Sequence, residues 1–321
     1  MQKSLRKLAP FVFSLAFLPG FGLPLAAARA AGDVPVVAVS IKPLHSLVAS
    51  VMQGVGEPKL IVGGSASPHT YSLKPSNAAD LEKAKVVFWL GPNFEHFLEQ
   101  PLQSLASGAT VVTLQDAPGL QRLPYREGGA FEADDDGDAP EAGHDHGDAG
   151  FDLHFWLDPR NADVMVEDIK TALVAADPAH ADQYTANAKA LEANLMALDA
   201  ELEQSLKPLQ KKPFIVFHDA YQYFEKRYGL HVAGSITVSP ETPPGAARVS
   251  EIQHKIQSLG ATCVFAEPQF EPKLISVVTE GTKARSGTLD PEGGTLEEGP
   301  GLYFTLMRNL AANLHACLDN E

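Results

Sequence analysis

Basic charge is scarce in this chain: 25 lysines and arginines face 40 aspartates and glutamates, and the formal net charge is −15. That balance excludes the phosphate contacts that hold nucleic acid and the attraction to anionic lipid surfaces. Cysteine is scarcer still, with only Cys263 and Cys317. No C-x-x-C or H-x-x-x-H pair occurs, nor any H-E-x-x-H or nucleophile elbow. The usual signatures of zinc fingers, zinc proteases and serine hydrolases are therefore missing.

The long apolar run lies near the start. Lys3, Arg6 and Lys7 precede it, it extends from Leu8 through Ala28 with Pro10, Pro19 and Gly20 inside, and Ala28-Arg29-Ala30 closes it. Basic, apolar and A-x-A segments in that order form a secretory signal, expected over residues 1–30 and removed by cleavage. An uncleaved membrane helix is the alternative, disfavoured by the Pro and Gly within the run and the lack of stop-transfer charges. No cysteine follows closely, so no lipid anchor is expected. Without the four basic residues of the signal, the remaining chain carries about −19, a charge that attracts cations. The mature protein is expected to be a soluble monomer of the periplasm, not inserted in the membrane.

Outside the cytoplasm, two thiols and no others point to one disulfide, Cys263–Cys317. A loop of that length contributes about 4 kcal/mol on the chain-entropy account. The alternative is a pair of buried free thiols.

Short apolar runs alternate with helical patterns. Val34–Ile41, Lys59–Val62, Val86–Leu90 and Thr110–Leu114 read as strands, with helices at Leu44–Met52, Ser76–Ala84 and Phe94–Ala106. The pattern resumes with strands at Phe214–Phe217, His231–Ile236, Thr262–Ala266 and Thr282–Leu289, and helices at Ala220–Tyr228, Ala246–Leu259, Pro272–Gly281 and Leu302–Leu318. Such alternation implies βαβ units and parallel sheets. Between the blocks, Pro178 suits a first helical position with Asp177 as N-cap, and Leu191, Leu195, Leu198, Leu202 and Leu206 form one apolar face. A helix from there to Pro208 spans about 43 Å. The expected fold is α/β, with two lobes, each a parallel-rich sheet flanked by helices. Residues 31–177 form the first, 178–207 the long rigid linking helix and 208–321 the second.

Residues 127–152 contain ten acidic residues and no Lys or Arg, with His144-Asp145-His146 near the centre. That composition buries too little apolar surface to order itself, so a disordered loop is expected within the first lobe.

Among eleven histidines, three stand out by position. His69 follows the strand Lys59–Val62, His218 ends the strand Phe214–Phe217, and His154 lies where the chain leaves the acidic segment. Open α/β sheets bind ligands at strand carboxyl ends, and Asp290 holds such a place after Thr282–Leu289. His45, His96, His180, His231, His254 and His315 read as packing or surface residues. Glu267 is either a residue lining the cleft or a buried partner of an arginine, and Tyr71, Trp156 and Tyr221 read as cleft walls.

The motifs then identify a family. Ser67-Pro68-His69-Thr70-Tyr71 with Lys74-Pro75-Ser76, His154-Phe155-Trp156-Leu157-Asp158-Pro159, Phe217-His218-Asp219-Ala220-Tyr221 and Thr288-Leu289-Asp290-Pro291 occur in order. Together they resemble the metal-binding solute-binding proteins of ABC importers, most of all the zinc-specific ZnuA type, whose acidic His-bearing loop and late cysteine pair are also matched. The resemblance implies a metal site in the interlobe cleft with His69, His154 and His218 as ligands. It also implies Zn²⁺ as the bound ion and a membrane permease as partner. Manganese-binding relatives carry Glu at the position of His218, and an imidazole there shifts preference toward zinc. The fourth place falls to Asp290 or to water, because the carboxylate that some relatives carry just before the first histidine is here Pro68. His144 and His146 would form a weak secondary zinc site.

The implied function is binding without turnover. The alternatives are a manganese or iron carrier of the same family, an adhesin of the same fold, and a zinc hydrolase with Asp219 or Glu267 as base.

Overall fold

The computed structural model describes residues 34–126, 131, 150–237, 245–259, 263–270 and 273–319. The expected signal segment and most of the acidic segment, including His144 and His146, lie outside the described residues.

The first sheet has four parallel strands, β1 (Val37–Val39), β2 (Lys59–Leu60), β3 (Val86–Trp89) and β4 (Thr110–Thr113), in the order β2-β1-β3-β4. Its inner strands read V-A-V and V-V-F-W and are buried at every position. Strands covered on both faces have no solvent side on which to alternate. Parallel neighbours need crossovers, and α1 (Lys42–Val51), α2 (Pro75–Lys83) and α3 (His96–Leu105) supply them.

The second sheet repeats the plan with β5 (Pro213–His218), β6 (His231–Thr237), β7 (Cys263–Ala266) and β8 (Arg285–Thr288) in the order β6-β5-β7-β8. Helices α6 (Gln222–Tyr228), α7 (Ala246–Leu259) and α8 (Lys273–Thr279) connect them. The two-residue period of β5 divides its side chains between two cores. Phe214 and Val216 join the main core, while Ile215 and Phe217 pack with Ile252, Ile256, Ile275 and Val278. A disulfide ties Cys263, at the start of β7, to Cys317 in α9 (Leu302–Leu318). Gly287 of β8 lies against this joint, where a Cβ would meet the Phe265 ring at 2.6 Å.

Between the sheets run α4 (Pro159–Ala176) and, after a 3-10 turn at Pro178–His180, the long α5 (Ala181–Leu206). The leucine stripe of α5 is buried, each of the five residues 3% exposed or less. Its 26 residues span about 39 Å, shorter than expected because both ends tighten into 3-10 turns. Asp177 does not cap with its side chain. Its Oδ2 instead accepts from His180 Nδ1 at 2.6 Å and from the Tyr184 hydroxyl at 3.0 Å.

In the first sheet the observed strands are shorter than the apolar runs that mark them, whereas β5 and β6 run slightly beyond theirs. In Val34–Ile41 only Val37–Val39 pair with β3, while Ile41 is fully buried just outside the ladder. Apolar sequence reports burial, and the ladder ends where its neighbour does. After β8 the chain returns to the first lobe. Lys42 Nζ donates to the carbonyls of Gly294 at 2.8 Å and Leu296 at 2.9 Å, and the Tyr303 N–H to Ser46 Oγ at 3.0 Å. No described helix is long and apolar enough to cross a membrane.

Candidate metal centre

Two 3-10 turns and a strand end deliver three imidazoles to one place. Beyond β2 the chain forms a 3-10 turn at Pro68–Thr70, with Pro68 in the first position, where its missing N–H costs nothing. Ser67 Oγ accepts from the N–H of His69 at 3.3 Å. His154 precedes a second 3-10 turn, Phe155–Leu157, and Asp158 then caps α4 by accepting from the Arg160 N–H at 2.9 Å. His218 is the last residue of β5, at the carboxyl edge of the second sheet.

One ring nitrogen from each of the three histidines can be chosen so that all lie within 4.8 Å of one another. His154 Nε2 and His218 Nε2 are 3.3 Å apart. A tetrahedral zinc ion with bonds of 2.0–2.1 Å spaces its nitrogens at about 3.3 Å.

Carboxylates set the tautomers. His154 Nδ1 lies 2.8 Å from Asp152 Oδ1, and His218 Nδ1 lies 2.7 Å from Glu267 Oε1. An ionised carboxylate can only accept, so each Nδ1 carries the hydrogen and each Nε2 turns a lone pair toward the other. Two lone pairs at that distance need a cation between them, either a proton or a metal ion.

Burial, reinforced by the neighbouring imidazoles, holds His69 and His154 well below the ordinary value of 6.5. Burial opposes charge on His218 most, but Glu267, through its charge and its hydrogen bond, together with the charges of Asp219 and Asp152, raises that imidazole. Glu292, 8% exposed, is pushed well above 4.5 by burial and then by Asp290, Glu95 and Glu267, which favours its neutral form. Burial likewise raises Glu95 to about 7.

The aromatic surround differs from expectation. Trp156 is fully buried and belongs to the core rather than to a cleft wall. Its Nε1 donates to the Pro291 carbonyl at 2.9 Å, and Tyr303 donates to the Trp156 carbonyl at 2.7 Å. The ring that sequence reading overlooks is Phe94, 4.7 Å from His69 and 5.5 Å from His154 between centroids. Tyr221 is 2% exposed and donates to Glu267 Oε1 at 3.3 Å.

Asp290 lies outside the three-histidine group. Its Oδ1 accepts from the N–H of Glu292 at 3.1 Å, the N–H of Gly293 at 2.9 Å and Gln269 Nε2 at 2.8 Å. Its Oδ2 is buried with no hydrogen-bond partner. Glu267 pairs with His218, not with an arginine. Asp152 goes unnoticed in the sequence, although its place two residues before His154 is a signal. Asp219 is held by Arg126, whose Nε is 3.0 Å from Oδ2. With Asp219 in that ion pair and Glu267 on an imidazole, neither carboxylate is placed as the general base of a hydrolase.

Known proteins resemble this chain over most of its length. A family model described as ZnuA, zinc-uptake complex component A, periplasmic, matches residues 37–317. The high-affinity zinc uptake system protein ZnuA of Brucella suis is 53% identical, over 98% of this chain and all of its own. That of Paracoccus denitrificans is 38% identical, over 93% and 96%. A crystal structure of ZnuA superposes with a TM-score of 0.74 at 26% identity, covering 89% of this chain and 100% of its own. An internal-deletion mutant of ZnuA with zinc bound gives 0.72 at 25% identity, covering 89% and 98%.

Proposed function

The chain belongs to the ZnuA family of periplasmic zinc-uptake components, and we propose that His69, His154 and His218 hold its Zn²⁺ for delivery to the permease of an ABC importer. The family acts by binding and transport, without turnover. Zinc is therefore cargo, and what matters is how the ion is captured and given up.

The apposition of His154 and His218 carries the reading. Nε2 to Nε2 at 3.3 Å, with a carboxylate behind each Nδ1, is a zinc-sized gap between two lone pairs. Carboxylate–imidazole–metal chains of this kind fix the tautomer and raise the basicity of the ligand. His69 supplies the third nitrogen, and Asp290, through Oδ2, the fourth donor. Three imidazoles suit borderline-soft zinc better than manganese, which prefers oxygen.

Residues 1–30 act as a cleaved signal that exports the chain to the periplasm. The acidic segment, with His144 and His146, serves as a weak collector of zinc outside the tight site. The test is calorimetric titration of metal-stripped mature protein with Zn²⁺, repeated with Mn²⁺ as competitor and on His218→Ala. Tight one-to-one zinc binding that resists Mn²⁺ and weakens at least 100-fold in the variant is expected. Equal preference for Mn²⁺, or an indifferent variant, overturns the assignment.

A further inference from the structure

The turn that carries His154 is braced to the helix behind His218 by groups that are not themselves ligands. Tyr223 lies on α6, five residues after His218, and is 1% exposed. Its hydroxyl accepts from the N–H of Leu123 at 3.0 Å and donates to the carbonyl of Asp152 at 2.7 Å. Leu123 and Asp152 are also bonded to each other, N–H of Asp152 to the Leu123 carbonyl, at 2.8 Å. Asp152 in turn holds His154 twice, through the backbone N–H at 3.0 Å and ring Nδ1 at 2.8 Å. Nearby, Gln222 Nε2 donates to the Pro124 carbonyl at 3.1 Å, and Arg126 pairs with Asp219 and Glu225.

On the zinc-site reading given above, we infer that Tyr223 is a positioning residue for zinc, whose hydroxyl sets the Asp152 turn, and with it His154, at its working distance from His218. The physical requirement is spacing. His154 comes from the connection after the first sheet and His218 from the second sheet, so no single element holds them in register. Ligand nitrogens must stay within about 0.5 Å of their productive places for a site to keep its affinity. Tyr223 meets that need through the protein alone, because both bonds of its hydroxyl are to backbone groups of the first lobe's connection. The phenol ring only packs, and the hydroxyl does the positioning.

Tyr223→Phe keeps the ring and removes the hydroxyl. Tyr228→Phe is the matched control. Tyr228 is on the same helix, 2% exposed, and its hydroxyl donates to Asp199 Oδ1 at 3.2 Å rather than to the Asp152 turn. Both variants lose one buried hydroxyl, so both are expected to melt at a lower temperature. Zinc affinity is then measured by competition with a chelator, and the visible d–d bands of Co²⁺ are recorded in the same proteins. Tyr223→Phe is expected to bind zinc about tenfold more weakly, to release it faster and to show altered Co²⁺ bands. Tyr228→Phe should match the parent in all three. Parent-like affinity and bands in Tyr223→Phe, or equal losses in both variants, overturn the inference alone. Failure of the parent protein to take up zinc or Co²⁺ overturns the metal-site reading and this inference together.

Discussion

The indole N–H of Trp156 donates to the carbonyl of Pro291 at 2.9 Å, joining the turn that follows His154 to the loop that carries Asp290. The loop is held from a second side by the three donors on Asp290 Oδ1. One oxygen of Asp290 is thus structural, while the other, Oδ2, has no partner. Asparagine separates the two duties, because its carbonyl can keep the three bonds while its amide cannot ligate zinc. Asp290→Asn is expected to weaken zinc binding about tenfold with little change in stability. Asp290→Ala should also lose roughly 1–3 kcal/mol of stability, since it strands buried N–H groups. Chelator competition and thermal melts on the pair check this, and unchanged affinity in Asp290→Asn removes Asp290 from the ligand set.

Protons compete with zinc first at His218. Its imidazole is raised by Glu267, whereas His69 and His154 are lowered by burial and by neighbouring rings. As pH falls, the raised group takes its proton while the lowered pair stays neutral. Zinc affinity should therefore decline from above pH 6.5 with about one proton displaced per ion, and more steeply at lower pH. Glu267→Gln removes the raising charge, so the decline begins at lower pH, although affinity at pH 7.5 falls about 10–100-fold with the lost orientation. Titration in two buffers of different ionisation enthalpy counts the protons. A flat affinity from pH 7.5 to 5 contradicts the three-histidine site.

The alternation of strand and helix was legible because it follows burial, and burial is written in Val, Ile, Leu and Phe. The strand ends were not, because Ile41 is as buried as Val39 yet outside the ladder. Helix α4 has no counterpart among the elements expected from sequence, although Asp158-Pro159 opens it and Ala162, Met165, Val166, Ile169 and Leu173 bury one face. In the site, the histidines could be singled out by their places near strand ends and by motif. The carboxylates behind two of them could not be paired with their histidines. Glu267 is 49 residues from His218, and only folding shows that it faces an imidazole rather than an arginine.

Leu123 and Asp152, which flank residues 127–149, are hydrogen-bonded to each other. Replacing residues 127–149 with a short Gly-Ser connection shortens a loop whose ends already meet, which changes closure entropy little. Tight zinc binding should stay within about twofold of the parent, while weaker additional zinc uptake disappears from the titration. A large loss of tight-site affinity would place a ligand within the segment and defeat the assignment of His69, His154 and His218 as sufficient.

The disulfide and the bound ion should stabilise the protein independently. Cys263 begins β7 and Glu267 lies just past its end, so the covalent joint and the carboxylate behind His218 are at opposite ends of one strand. Replacing both cysteines by serine removes a 54-residue cross-link, which costs about 4 kcal/mol on the chain-entropy account. The melting midpoint should fall on the order of 10 °C. Zinc stabilises by mass action on the folded state alone, and sites without shared partners add. Removing zinc with a chelator should therefore lower the midpoints of the parent and the serine variant by similar amounts. Calorimetric scans of the four species test this. A much smaller chelator effect in the variant means that the cross-link helps to hold the zinc site, through β7 and Glu267 to His218.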